Sequence, residues 1–162
     1  MSVSLPFERH NDIVVFVIPA LSSEGLLPPG IHAATWQDVI DRFGWNARRL
    51  SLLLGLSDAL TQLASAGCSA IWLDGSFVTA KDVPGDYDAC WDPNGMDGSR
   101  LDPLFVDFSP AGRSLRKSRF LGDLFVSAHQ EAGSGMTFVD FFQRTRDGAE
   151  KGIVLLNPQE PR

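Results

Sequence analysis

The chain has 162 residues, 44% hydrophobic and 21% charged, with a formal net charge of -6 and a pI near 4.9. That length is expected to form one domain with a real core, and the composition is ordinary for a globular protein. The acidic balance excludes a general nucleic-acid coat, which would be basic, but leaves room for a local basic site.

Ile13 to Ile18 is rich in β-branched residues and stops at Pro19, which predicts a strand. A loop follows through Pro28-Pro29-Gly30. Thr35-Trp36-Gln37-Asp38 has capping-box spacing, with Asp in place of the usual Glu or Gln, and opens a short helix that Gly44 ends. Asn46 is expected to cap a second helix running to about Ala66, with Gly67 just beyond it. Leu50, Leu53, Leu54, Leu60, Leu63 and Ala64 would form its apolar face.

Ala70 to Leu73 reads as a buried strand leading into Gly75-Ser76. Lys81 to Gly85 is turn-rich, and Asp86 to Trp91 reads as the next strand. Leu104 to Phe108 is predicted as another strand, bounded by Pro103 and Pro110. Residues 113–119 are helical or a basic loop, and 120–136 carry no clear period. Phe138 to Arg144 is expected to be a short helix with Phe138, Phe141 and Phe142 turned inward, and Ile153 to Leu156 a closing strand. Mixed elements with little strict alternation predict an α+β domain, a mixed sheet with helices mainly on one face. It would span 1–162: an N-terminal strand and helices over 1–68, a motif-bearing core over 69–157 and a polar tail over 158–162.

Cys68 and Cys90 are too few for a disulfide framework or a zinc pattern, so a reducing cytoplasm is the expected setting. No segment reaches the roughly 20 apolar residues of a membrane helix, and no secretory leader is evident. His10, His32 and His129 are widely separated and read as structural or surface residues.

The chemistry concentrates in three short segments. Asp86 and Asp88 are two apart on a strand, so both carboxylates share a face. Asp107, between Val106 and Phe108, is a lone carboxylate in an apolar run, and burying it would require compensation. If its strand lies beside that of Asp86 and Asp88, three acids converge and repel one another unless cations intervene. Two divalent ions, Mg2+ or Mn2+, would suit such an all-oxygen site. Gly75-Ser76 would let backbone approach a phosphate, with a helical turn presenting N–H groups after it. Arg113, Arg116, Lys117 and Arg119 form the densest basic cluster, either holding nucleotide phosphates or an RNA backbone, or simply a solvated helix face. Asp74 and Asp92 are weaker acidic candidates.

Gly75-Ser76, Asp86-Tyr87-Asp88 and Val106-Asp107-Phe108 together resemble the nucleotidyltransferase superfamily that includes DNA polymerase β, particularly its minimal members. Leu27 to His32, Trp72 to Thr79 and Val106 to Ser109 also look like an uncharacterised bacterial family of nucleotidyltransferase-like proteins. The resemblance implies a nucleotidyltransferase-like fold and metal-dependent transfer of a nucleoside monophosphate from a nucleoside triphosphate. The acceptor would be a protein, an RNA or a small molecule, and the implied setting is a toxin–antitoxin or phage-defence module. It implies that Asp86, Asp88 and Asp107 bind metal, Asp107 also serving as base, and that Gly75 and Ser76 hold the triphosphate. Arg116 and Lys117 would join them as nucleotide contacts. The alternative is a catalytically inactive relative that binds a nucleotide or a protein partner.

Overall fold

The computed structural model describes residues 17–162. The strand expected over 13–18 lies largely outside the described residues. Val17 and Ile18, the two that are described, form a bend in which Ile18 is buried.

Five strands, β1 (Gly30–Ala33), β2 (Ile71–Asp74), β3 (Tyr87–Trp91), β4 (Gly122–Val126) and β5 (Gly152–Leu156), form one mixed sheet in the order β1-β5-β2-β3-β4. The β1–β5 and β3–β4 pairs are parallel, whereas β2 runs antiparallel to both β3 and β5. A parallel neighbour cannot be reached by a hairpin, so the chain leaves β3, crosses through α3 (Pro110–Phe120) and returns as β4. The expected α+β class with a mixed sheet is what the chain adopts.

Helices α1 (Trp36–Phe43) and α2 (Ala47–Ser65) begin where their caps predict. Thr35 accepts from the Asp38 amide while Asp38 accepts from the Thr35 amide, a complete capping box. Asn46 caps α2 by accepting from the Arg49 amide. The apolar face of α2 is rotated from the expected one. Leu52, Leu53, Leu56, Ala59, Leu60 and Leu63 are buried, whereas Leu50 and Leu54 are 46% and 74% exposed. With leucines at 50, 52, 53, 54 and 56, two apolar stripes overlap, and packing on the sheet selects one.

The helical residues share a core with Ile71, Leu73, Ala89, Leu124 and Val154 of the sheet. The opposite sheet face carries a smaller cluster of Cys90, Phe142 and Ile153, covered by the short helix α4 (Phe138–Phe141). Phe138 stacks on Phe125 at 4.2 Å and Phe142 is buried, but Phe141 is left 39% exposed rather than turned inward.

Residues 104–108 are not a strand. Asp102 accepts from the Leu104 amide and Pro103 starts a tight 3-10 turn over Pro103–Val106. Only Phe105 is buried there, between Trp91 and Phe120, while Val106 and Phe108 face outward. Two strands were not expected: β4, in a stretch with no clear period, and β1, which begins at Gly30, where the expected loop ends. Among the described residues no helix is long and apolar enough to cross a membrane.

A carboxylate row at the end of the sheet

Strand register builds the site. Asp74, the last residue of β2, pairs directly with Asp88 of β3, and Asp88 pairs directly with Asp123 of β4. Directly paired residues project to the same face, so three carboxylates form one row across three adjacent strands. One step further along, Trp72, Cys90 and Phe125 form the row beneath α4. Asp86 precedes β3 by one residue and has the parity of Asp88, so it joins the same face.

Cations meet most of these acids. Lys151, just before β5, holds Asp74 at 2.5 Å. Lys117 of α3 bridges Asp86 at 2.7 Å and Asp123 at 3.5 Å. Arg113 reaches over the β4 edge and grips both Asp123 oxygens, Nε and Nη2 each at 3.1 Å. Among the described residues, four carboxylates therefore face three basic side chains, and Asp88 is the acid left without one. Burial, reinforced by Asp86, Asp74 and Asp123, pushes Asp88 up to about 7 against the opposing pull of Lys151. Burial also raises Asp74, partly countered by Lys151. For Asp123 burial acts in the same direction, but hydrogen bonds and charge from Arg113 and Lys117 outweigh it and hold the carboxyl below its usual range.

Gly75 is required where it stands. Its φ of 83° belongs to the left-handed region, and a Cβ would sit 2.7 Å from Asp88 Oδ2. The helical turn expected after it is a single 3-10 turn over Ser76–Val78. The start of α2 pins the connector between the two motif halves. Fully buried Arg49 donates to the carbonyls of Phe43, Phe77, Thr79 and Lys81, and its guanidinium lies 3.5 Å from the Trp45 ring centre. Asn46 donates to the Asp82 carbonyl and Arg48 to that of Pro84. One helix terminus thus sets where Gly75-Ser76 ends and where Asp86 begins.

Two expected site residues lie elsewhere. Asp107 follows the 3-10 turn and is exposed, its Oδ1 accepting from the Ser109 amide and hydroxyl ahead of α3. It serves the entry to that helix and does not join the row, because its segment never pairs with β3. Arg116 is buried and donates to the carbonyls of Leu104 and Asp107, a structural tie between α3 and the preceding turn. Lys117 does reach the acids, and the expected pair Asp86 and Asp88 does share the row. Arg113, expected only as part of the basic cluster, also reaches the row, whereas Asp123 and Lys151 were missed. The signal that singled out Asp107, a lone acid among apolar residues, was equally present in Gly122-Asp123-Leu124-Phe125-Val126. Cys68 and Cys90 are buried packing residues whose thiols burial pushes up.

A cleft adjoins the row on each side. One, of about 590 Å³, includes Lys151, Arg144, Glu150 and Asp140. The other, of about 430 Å³, is lined by Phe108, Pro110, Arg113, Ser114 and Lys117. Among the described residues no three His, Cys, Asp or Glu side chains form a ready-made metal cage.

Fold and site define a mixed α+β domain with an acidic row at one end of its sheet and basic side chains set against it. The chain belongs to DUF6932, a family of unknown function whose profile matches residues 19–157. Neither a curated protein nor a solved structure matches it.

Proposed function

We propose that this protein is a minimal nucleotidyltransferase-like domain acting on a nucleoside triphosphate at the carboxylate row. The observation that carries the reading is the register Asp74–Asp88–Asp123, with Gly75-Ser76 directly after Asp74 and Asp86 beside Asp88. Asp123 takes the part expected of Asp107.

Every acid of the row offers oxygen, the donor type a hard divalent cation takes, and among the described residues Asp88 has no basic partner. The carboxylates are not gathered into a ready-made cage, however, and would have to exchange their lysine contacts for the ion. Asp86 and Asp88, with Asp123, would hold Mg2+ or Mn2+, which when bound supplies charge neutralisation for a transferring phosphoryl group. The protein's own groups do the rest. Gly75 lets the Asp88 carboxylate pack against the turn backbone, and the Ser76 hydroxyl stands at the same turn. Arg113 and Lys117 provide N–H donors for phosphate oxygens. In the transfer, an acceptor hydroxyl bonds to the α-phosphorus, pyrophosphate leaves, and the hydroxyl proton passes to a carboxylate of the row.

A second reading, an inactive nucleotide- or partner-binding relative, is favoured by one specific feature. Lys117 and Lys151 already occupy Asp86, Asp123 and Asp74. Calorimetric titration with Mg2+ and each nucleoside triphosphate separates the two when combined with a pyrophosphate-release assay. Binding with release supports transfer, and binding without release supports the inactive relative. A folded wild-type protein that binds none of the nucleotides rules out both nucleotide readings. The Asp86→Asn, Asp88→Asn double variant is expected to keep its fold and lose metal-dependent nucleotide binding.

A further inference from the structure

We propose that the 430 Å³ cleft over α3 is the seat of the nucleotide's base and outer phosphates, with Phe108 stacking on the base and Arg113 and Lys117 holding the phosphates. This rests on the nucleotide reading above and assigns that ligand's position within the site.

The cleft is built by one helix face and one ring. Pro110, Arg113, Ser114 and Lys117 recur at i, i+3, i+4 and i+7, so they line a single outward face of α3. Both charged residues on that face are cations, and both also touch the carboxylate row, which links the cleft to the acids directly. Neither is used up by those ion pairs. The side chains of Arg113 and Lys117 remain 59% and 50% exposed. Arg113 engages Asp123 through Nε and Nη2, which leaves the N–H groups of Nη1 for an incoming anion.

Phe108 supplies the apolar half. It is 47% exposed, and its ring meets two neighbours. His129 makes an edge contact at 5.5 Å between ring centres, and the buried Arg116 guanidinium lies 5.3 Å from the ring centre. An exposed aromatic face beside paired cations suits an anionic ligand that carries a flat ring, because a base can stack on it while the cations hold the phosphates. The cleft on the other side of the row is a poorer place for a polyphosphate. Asp140 and Glu150 accompany Arg144 and Lys151 there, so its charge is mixed.

The test compares ATP with inorganic tripolyphosphate, which lacks the base, by calorimetry in the presence of Mg2+. Phe108→Ala is expected to weaken ATP binding about tenfold and leave tripolyphosphate binding within about twofold, while Phe108→Trp keeps ATP binding near wild type. Arg113→Gln is expected to weaken both ligands. Circular dichroism and the thermal midpoint confirm that each variant is folded. If the wild type binds ATP and Phe108→Ala binds it equally well, or loses both ligands alike, the cleft assignment falls while the nucleotide reading stands. If the wild type binds neither ligand, both fall.

Discussion

Asp88 is the residue on which the electrostatics turn. It is flanked by Asp74 and Asp123 in register, has Asp86 nearby and, among the described residues, lacks a basic partner, and its carboxyl is pushed up to about 7. A folded-state value above the unfolded one of ~3.9 means the native state binds the proton more tightly. Stability from this group is therefore present at low pH, falls as pH rises between those two values, and stays lost above about 7. In metal-free protein, Asp88→Asn is expected to raise stability by about 1–3 kcal/mol at pH 8, with the gain shrinking towards pH 4. Urea unfolding at a series of pH values checks this, and a gain independent of pH would contradict it. The positions of Asp107 and Asp123 make a second prediction. Asp107→Ala should leave Mg2+-dependent nucleotide binding within about twofold, whereas Asp123→Asn should weaken it about tenfold or more. Equal effects from the two variants would mean that the row is not the binding site.

At the scale of elements, α2 does two jobs. Its first turn pins the connector through Arg49, and its middle packs against the end of α3 at Gly55. A Cβ on Gly55 would lie 2.2 Å from the Phe120 carbonyl oxygen. Helix propensity alone would favour alanine there by about 1 kcal/mol. The clash is with backbone that is itself tied down, because Phe120 O also accepts from the Tyr87 hydroxyl at 2.8 Å. Overpacking should win, so Gly55→Ala is expected to destabilise by about 1–3 kcal/mol in chemical denaturation. The same element shows where patterning stopped being informative. Caps at Thr35 and Asn46 depend on residues three apart and could be read directly. The choice between two leucine stripes on α2 depends on the sheet beneath, which no local pattern encodes.

At the scale of the molecule, β5, β2 and β3 are, among the described residues, paired on both sides, whereas β1 and β4 are the sheet edges. The central strands also sit between the main core and the cluster under α4. Amide hydrogen exchange is expected to be slowest in β2, β3 and β5 and faster at the outer side of β4. Exchange of β2 amides ahead of those of β4 would contradict this order. Because Arg113 and Lys117 clamp the β4 edge to the acids, bound nucleotide should slow exchange in β4 and α3 more than in β1.

The sequence by itself determined the starts of α1 and α2, the glycine-bound turn after β2, the shared face of Asp86 and Asp88 and the α+β class, since each follows from local residue patterns. Tertiary structure decided which third acid completes the row. A capped proline turn removes Asp107 from any sheet, while the crossover through α3 lays β4 beside β3 and sets Asp123 directly against Asp88. Register between strands more than thirty residues apart is a property of the packed sheet. A lone acid in an apolar run therefore marks a candidate, and only strand pairing shows which candidate meets the others.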